Sequence, residues 1–523
     1  MQTAIVMFRQ RSSIKTILRI LPISSSSPLF LNLISYPSRF CTKVGLKESK
    51  LDDPSSLSWR VEKLLRGESV VSAFQSWMGE GLPIQRGDIS QAINRLRMLR
   101  LNKRALEVME WVIRERPYKP KELDYSYLLE FTIKLHGVPH GESLFSRIPD
   151  EFQNDLLYNN LVIACLNQGK IRISLAYMKQ MRVLGYPISH LVFNRLIVLH
   201  STHKRKKNIP KILTQMKADG VAPHVSTYNI LLKIEANQHN IERLGTVFDQ
   251  MKRAKVEPNE ITYCILATAH AVARLNVVAE TYADALEKFK TEKNWATLDA
   301  LLILYGHLGK EVELERTWEA VQNLPYLSYK SIMLAIEAFG RLGRVERAED
   351  LWSEMRSRQH SKSTEEFNSI MSVYCKHGLI DKATELLKEM KANGCTPNAP
   401  TYLHLTLGCL KGGLIEKAMK TFEAGTDQTI ARSVKRSISW LETTLSIVQV
   451  FADMGDVENA KKFFGDLKEA RYSKYTFVCN SLIKAFVKAR VYEPDLLKSM
   501  ILGGARPDAE TYCLVKLVEE FRT

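Results

Sequence analysis

Asparagine recurs beside an aromatic residue, or once beside cysteine, at five places in the 523-residue chain. These residues are Asn159, Asn194, Asn229, Asn368 and Asn480. A carboxamide carries both a hydrogen-bond donor and an acceptor, so a row of such groups could recognise a partner that presents both kinds of atom. The first three asparagines lie 35 residues apart, so the same group returns at a fixed interval.

The interval corresponds to a unit of two helices, as residues 364–398 illustrate. Apolar side chains fall at Phe367, Ile370, Met371 and Tyr374, stop at Gly378, and resume at Ala383, Leu386, Leu387 and Met390. This spacing predicts two amphipathic helices joined by a turn. One hairpin cannot bury both apolar stripes, so neighbouring copies must stack into a solenoid.

The same template fits the chain eleven times. The predicted starts are Leu123, Asp155, His190, Val225, Glu260, Trp295, Tyr329, Thr364, Ala399, Leu441 and Thr476. A looser copy begins at Arg86. The predicted organisation is therefore a helical lead-in over 43–85, a repeat array over 86–508 and a truncated repeat over 509–523.

Three features of the unit resemble the pentatricopeptide repeat. They are a Tyr-Asn-x-Leu first helix, a central glycine (Gly169, Gly309, Gly343, Gly378, Gly413, Gly455) and a closing Pro-Asn or Pro-Asp (Pro258-Asn259, Pro397-Asn398, Pro507-Asp508). The tetratricopeptide repeat, with a similar period, has a different signature that is absent from this sequence. The resemblance implies an all-α, right-handed α-solenoid superhelix of about eleven to thirteen helix-turn-helix repeats. It also implies the plant organellar P-class, which consists of the array only.

The resemblance further implies that each repeat meets one base of single-stranded RNA. The fifth and last residues of a repeat would read the base edge, and the second residue, the wedge slot, would lie between neighbouring bases. The implied pairs are Asn159 with Ser189, Asn194 with His224, Asn229 with Asn259, Asn368 with Asn398, and Asn480 with Asp508. The first would read cytosine, the third and fourth a pyrimidine, and the last uracil, whereas the pair with His224 is unfamiliar.

Other repeats depart from this pattern. Their fifth slots hold Cys264, Asp299, Met333, Leu403 and Leu445, which read a base poorly or not at all. The wedge slot is apolar at Leu156, Leu191, Ile261 and Phe477 but polar at Ser226 and Glu365. The expected target is a gapped run of pyrimidines recognised with low specificity. Alternatively, each asparagine brackets the neighbouring repeat without touching RNA.

Basic side chains share another slot near the end of the first helix, here named the basic slot. Its members are Arg341, Lys376, Lys411 and Lys488. A stacked row of cations could follow an RNA backbone, although the same row could simply be a solvated face. The net charge of +17 also favours a polyanionic partner.

Residues 1–47 contain seven basic residues and no acidic one, and removing those charges leaves +10 on the rest. This leader, rich in serine and arginine, has the composition of an organellar transit peptide, predicted over 1–42. The mitochondrial matrix is the favoured location and the chloroplast the alternative. No apolar run is long enough to cross a bilayer, so no membrane association is expected.

The sequence offers no catalytic or metal-binding motif. The eight cysteines are scattered without a CxxC pair, and no phosphate-binding, zinc-protease or hydrolase signature is present. His140 and Glu142 match half of a zinc deaminase motif, but its PCxxC half is missing. The sequence therefore predicts no enzyme, no metal, no cofactor and no small-molecule substrate.

Three hypotheses about function remain. The first is a mitochondrial factor that binds single-stranded RNA, a transcript or ribosomal RNA, in transcript processing, stability, splicing or translation. The second is a structural or assembly component of the mitochondrial ribosome. The third is a solenoid that binds proteins only.

Overall fold

The computed structural model describes residues 56–522, except residues 66, 204, 290–294, 325–326, 358–362 and 427–433. The predicted leader lies outside the described residues. In the described part, the chain divides into two compact units, residues 56–231 and residues 232–522. Both consist of helical hairpins.

The α-helices are numbered α1 to α27 in chain order. The first unit contains Leu57–Lys63, Val70–Gly79, Arg86–Met98, Asn102–Glu115, Glu122–His136, Val138–Phe145, Asp155–Asn167, Ile171–Val183, His190–Thr202 and Ile209–Ala218 (α1 to α10). Helix α11, Val225–Ala236, runs across the boundary. The second unit continues with Ile241–Arg253, Glu260–Val272, Asn276–Glu287, Trp295–Leu308, Glu311–Gln322, Tyr329–Arg341, Val345–Ser357, Thr364–Lys376, Ile380–Ala392, Ala399–Lys411, Ile415–Thr426, Ile438–Asp453, Val457–Glu469, Thr476–Ala489, Leu496–Leu502 and Ala509–Glu519 (α12 to α27).

Odd-numbered helices are the first helices of successive hairpins, and even-numbered helices are the second. Helices α7, α9, α11, α13, α15, α17, α19, α21 and α25 begin at the predicted residues. Every regular element in the described residues is helical. The predicted all-α array of helix-turn-helix repeats is confirmed.

The repeat predicted to start at Leu441 has a different start. Its first helix, α23, begins at Ile438, where the side chain of Ser437 accepts a hydrogen bond from the backbone of Trp440. Helix α23 has 16 residues, whereas α21 has 13. The serine cap adds almost one turn at the N-terminus, while the hairpin turn at Gly455 keeps its place.

The last residue of a repeat often caps the first helix of the next repeat. The Asn398 side chain accepts from the backbone N–H of Thr401 at 3.3 Å, and Asp508 accepts from that of Thr511 at 2.8 Å. Each cap satisfies a backbone donor that has no partner within its own helix and contributes about 1 kcal/mol. The repeat boundary is thus a hydrogen-bonded joint.

The turn between the two helices of a hairpin needs one residue in the left-handed region. Gly378 takes this role with φ of +70°, which costs glycine little because it has no Cβ. The same slot holds His239 in one repeat and Arg274 in the next, with φ of +55° and +59°. This backbone conformation is unfavourable for residues that carry a Cβ, as these two do.

Within the second unit, the two helices of a hairpin face different surroundings. Large side chains such as Phe339 and Phe367 on first helices, and Trp318 on a second helix, are fully buried. Second helices of neighbouring repeats are joined on the outside by partly exposed ion pairs, for example Lys382 with Glu349 at 2.6 Å. First helices therefore form the inner layer of this unit.

Candidate nucleic-acid interface

The asparagine of the fifth slot braces its helix against the last residues of its repeat, which cap the first helix of the next repeat. Asn159 donates to the carbonyls of Asp155 and Pro187, at 2.8 and 3.0 Å, and its Oδ1 accepts from the backbone N–H of Ser189 at 2.7 Å. Both groups of its amide are thereby used inside the protein. The predicted base-reading pair, Asn159 with Ser189, is itself joined by a hydrogen bond.

Two further pairs repeat this arrangement. Asn368 donates to Asn398 at 3.0 Å and accepts from the hydroxyl of Thr401 at 2.8 Å. Asn480 donates to Asp508 at 3.2 Å and accepts from the hydroxyl of Thr511 at 2.8 Å. In both, the fifth residue is linked to the cap of the next first helix.

The remaining asparagines are buried as well. Asn194 donates to Ser226 Oγ at 3.0 Å, while its Oδ1 is buried without a hydrogen-bond partner. The backbone N–H of His224 donates to Thr227. Asn229 belongs to the first unit, and Asn259 caps α13 in the second.

The five asparagines are 1–8% exposed, so they present little surface to a ligand. Their base-reading role stays a prediction. At Asn159, Asn368 and Asn480 a base would have to take over hydrogen bonds that are now made within the protein. Asn194 differs because its acceptor is unpaired. The bracing interactions fit the alternative that these residues mainly hold neighbouring repeats in register.

Three of the other fifth slots are also buried, whereas Cys264 and Met333 are partly exposed. Leu403 and Leu445 belong to the apolar core. Asp299 accepts from the Ser331 hydroxyl at 2.7 Å, and burial raises the pKa of Asp299, against the opposing effects of Ser331 and Lys330. Because Asp299, Leu403 and Leu445 are buried, they offer no base-reading surface.

The wedge slot differs from the fifth slot because several of its members remain accessible. Leu156 and Ile261 are each 40% exposed. Phe477 lies under the Arg274 guanidinium, with 4.1 Å between the guanidinium carbon and the ring centroid. The wedge slot thus has free apolar members and at least one member engaged within the protein.

The basic slot contains two kinds of residue. Lys411 and Lys488 are exposed. Arg341 and Lys376 instead contact Glu442, the former at 2.8 Å and the latter at 3.2 Å. We name Arg341, Lys376 and Glu442 the inner ion cluster. Its members come from three different first helices, α17, α19 and α23, so these helices converge at Glu442.

Burial and charge oppose each other in this cluster. Burial by itself would raise the pKa of Glu442, but the Arg341 and Lys376 charges outweigh it and hold that pKa below its usual range. Burial lowers the pKa of Lys376, and Arg341 lowers it further. Burial also lowers the pKa of His404 to about 4 and that of His307 well below its ordinary value. Both imidazoles are therefore neutral at pH 7.

The sequence did not single out Glu442. Counted back from the turn glycine, Glu442 occupies the wedge slot of its repeat, where the resemblance implies contact with bases. The available signal was an acidic side chain, as at Glu365, in a slot that is apolar in several other repeats. Its partners are 66 and 101 residues away and could not be identified from the repeat pattern.

A second distant contact joins the beginning and the end of the second unit. His239 stacks on Tyr472 with 4.3 Å between ring centroids, and its Nδ1 is hydrogen-bonded to the Tyr475 hydroxyl at 2.9 Å. Arg471 donates to Gln238 at 3.2 Å. Together with the stacking of Arg274 on Phe477, these interactions form the closing contact.

Among the described residues, no group of three or more histidine, cysteine or acidic side chains is arranged to hold a metal ion. None of the described helices combines the length and hydropathy that a bilayer-spanning helix needs.

Comparison with known proteins identifies the family. The model of the PPR repeat family matches residues 362–411, and that of the PPR repeat matches residues 334–360. The model of the pentatricopeptide repeat domain matches twice, over residues 179–236 and 211–270. A mitochondrial pentatricopeptide repeat-containing protein of Arabidopsis thaliana is 54% identical over 92% of this chain and 90% of its own length. The chain belongs to the pentatricopeptide repeat family.

More distant relatives include a second mitochondrial pentatricopeptide repeat-containing protein of Arabidopsis thaliana, 28% identical over 81% of this chain and 70% of its own length. Among solved structures, the pentatricopeptide repeat protein PPR10 in complex with an 18-nt psaJ RNA element is 15% identical. The match has a TM-score of 0.41 and covers 89% of this chain and 77% of PPR10.

The family assignment settles three expectations from the sequence. The protein is a plant-type pentatricopeptide repeat protein, and it is not an enzyme. The mitochondrial designation of its relatives confirms the predicted mitochondrial localisation. Membership of the P-class and the boundaries of the lead-in and the final repeat stay predictions.

Proposed function

We propose that this pentatricopeptide repeat protein binds single-stranded RNA in the mitochondrial matrix and serves transcript processing, stability, splicing or translation without catalysis. The observation that supports this most directly is the basic slot, in which four successive or nearby first helices carry a cation in their last turn. Two of these cations, Lys411 and Lys488, are exposed, while Arg341 and Lys376 pair with Glu442. Cations that recur at one slot of the repeat match a polyanionic strand, and holding such a strand would block nucleases or refolding.

Sequence recognition would be limited. Base reading by the five asparagine pairs remains part of the proposal, with a gapped run of pyrimidines as target. Three of the five amides, those of Asn159, Asn368 and Asn480, use both of their groups in hydrogen bonds within the protein. We therefore expect backbone contacts to dominate affinity.

The second candidate is a structural or assembly role in the mitochondrial ribosome. The bracing of the asparagines favours this role, because such a protein need not read bases. Exposed cations such as Lys411 and Lys488 would suffice to bind ribosomal RNA. A solenoid that binds only proteins is the third candidate, for which RNA should make no difference.

One experiment separates these candidates. RNA crosslinked to the tagged protein in purified mitochondria is sequenced, and the same lysate is run on a sucrose gradient. A sharp footprint on one transcript, with the protein sedimenting free of ribosomes, supports the first. Crosslinks confined to ribosomal RNA with co-sedimentation support the second, and an absence of crosslinks supports the third.

The purified protein tests RNA binding directly. Lys411→Gln and Lys488→Gln should each weaken binding of a pyrimidine-rich oligonucleotide, and each should reduce the slope of log affinity against log salt by about 0.7. Lys388→Gln, on the second helix α20, is the matched control because Lys388 is also exposed. Equal effects of all three substitutions would contradict a role for the basic slot.

A further inference from the structure

The inner ion cluster joins three repeats through one carboxylate. Glu442 reaches Arg341 on α17 and Lys376 on α19, which lie in earlier repeats than its own helix α23. The side chains of Lys376, Arg341 and Glu442 keep 19%, 21% and 30% of their surface. The cluster therefore lies on a narrow, solvent-accessible inner surface of the second unit and not in a dry core.

Further ionisable side chains lie near the cluster. His307 and His404 lie close enough to interact electrostatically with Glu442, Arg341 and Lys376. A second carboxyl, Glu337, is also nearby, and burial raises its pKa, which disfavours its charged form. Glu442 is thus the carboxylate that directly pairs with both cations.

The geometry suits a phosphate as well as a carboxylate. Arginine presents planar N–H donors that match the oxygens of either group, and lysine acts as a mobile point charge. A phosphodiester between Arg341 and Lys376 would find the same two donors that Glu442 now uses. The carboxylate and the phosphate cannot occupy that position together.

We propose that Glu442 holds, in the RNA-free protein, a site for a backbone phosphate of single-stranded RNA between Arg341 and Lys376, and that RNA binds there by displacing the Glu442 carboxylate. This inference rests on the proposed RNA-binding function. It assigns Glu442 the role of an internal competitor, located in a wedge slot that in other repeats carries an apolar side chain such as Leu156 or Ile261. Arg341 and Lys376 then become available only to a ligand that outcompetes Glu442.

The first test compares Glu442→Gln with Glu349→Gln. Both glutamates pair with a cation and both side chains are 30% exposed, but Glu349 pairs with Lys382 between second helices. We expect Glu442→Gln to bind a pyrimidine-rich RNA oligonucleotide with about tenfold higher affinity than Glu349→Gln, because the carboxylate that competes with the phosphate is gone. Equal or weaker binding by Glu442→Gln would overturn the inference.

The second test uses the unmodified protein, so it does not depend on how a variant folds. Carboxyl groups are labelled with a carbodiimide and an amine, with and without the oligonucleotide, and labelled peptides are quantified by mass spectrometry. Labelling of Glu442 should increase when RNA binds, while labelling of Glu349 should not. Unchanged or reduced labelling of Glu442 in a complex that has demonstrably formed contradicts displacement.

The proposed RNA-binding function and the displacement of Glu442 can be refuted separately. If neither the unmodified protein nor Glu442→Gln binds RNA, the proposed function is wrong and the inference falls with it. If the unmodified protein binds RNA but Glu442 is neither displaced nor inhibitory, the function stands and only the inference is wrong.

Discussion

At the scale of single residues, the fifth-slot asparagines act as joints between repeats. Asn368 illustrates this, because one amide links its helix to Asn398, the last residue of its repeat, and to Thr401 of the next repeat. A base-reading residue would need the same donor and acceptor free. Stability and recognition therefore compete for the same atoms.

Substitution of Asn368 by alanine should lower the free energy of unfolding by about 1–3 kcal/mol, because Asn398 and Thr401 lose buried hydrogen bonds. Asn393→Ala is the control, since Asn393 is exposed and should change stability by less than about 0.5 kcal/mol. Urea unfolding of both variants measures the difference. Indistinguishable midpoints would show that the brace contributes little.

The inner ion cluster gives stability a pH dependence. The folded pKa of Glu442 lies below its ordinary value of 4.5, so its contribution is present above that value and is lost as the pH falls toward the folded pKa. Glu442→Gln should therefore be destabilised by about 1–3 kcal/mol at pH 7, and the gap from the unmodified protein should shrink below about pH 4. Denaturant unfolding at several pH values measures the gap, and a gap that widened in acid would have the wrong sign.

The sequence predicted the asparagine row and paired three of its members with residues they contact, but it did not predict the partners of the basic slot. A repeat pattern shows which residues are equivalent, because equivalence follows from spacing. Contacts such as Glu442 with Arg341 join non-equivalent slots of different repeats, so they depend on how tightly the array winds. Winding is set by packing between helices and leaves no short signature in the sequence.

At the scale of elements, small residues set the distance between neighbouring first helices. A Cβ on Gly306 in α15 would lie 2.8 Å from both Cα and Cβ of Ala338 in α17. The two helices approach closely because neither side carries a larger group. Apolar periodicity predicted both helices, whereas the extra turn of α23 depended on a serine cap lying one turn before the apolar pattern.

Gly306→Ala should destabilise the protein by about 1–3 kcal/mol, because the backbone of α17 would have to shift. Gly245→Ala, within helix α12, should instead stabilise it by about 0.5–1 kcal/mol, because no atom lies within 4 Å of the added Cβ and alanine favours the helix. Thermal unfolding should move the two melting temperatures in opposite directions. A shift of both in the same direction would contradict the packing argument.

At the scale of the whole second unit, the closing contact is the distinctive feature. The left-handed turn residues His239 and Arg274, which replace glycine, each contact an aromatic residue near the start of α25. Their unfavourable backbone conformation is thus compensated by a contact that glycine could not make. No repeat consensus would have indicated this exchange.

Tyr475→Phe keeps the ring but removes the hydroxyl bonded to His239, and it should cost about 1 kcal/mol. Amide hydrogen exchange should also become faster in α12, which directly follows the turn at His239 and lies far from Tyr475 in the sequence. Tyr512→Phe is the control, because Tyr512 is 57% exposed. Exchange in α12 that stays unchanged in Tyr475→Phe would mean that the contact does not couple the two ends.

A linear array gains stability from nearest neighbours only, so its ends fray and its folding can begin at any repeat. The closing contact adds a stabilising interaction between residues 236 positions apart, which raises the contact order of the second unit. The repeats between those two residues must be ordered before the contact can form. The second unit should therefore lose its terminal repeats together and not one at a time, which makes it cooperative in the manner of a globular domain.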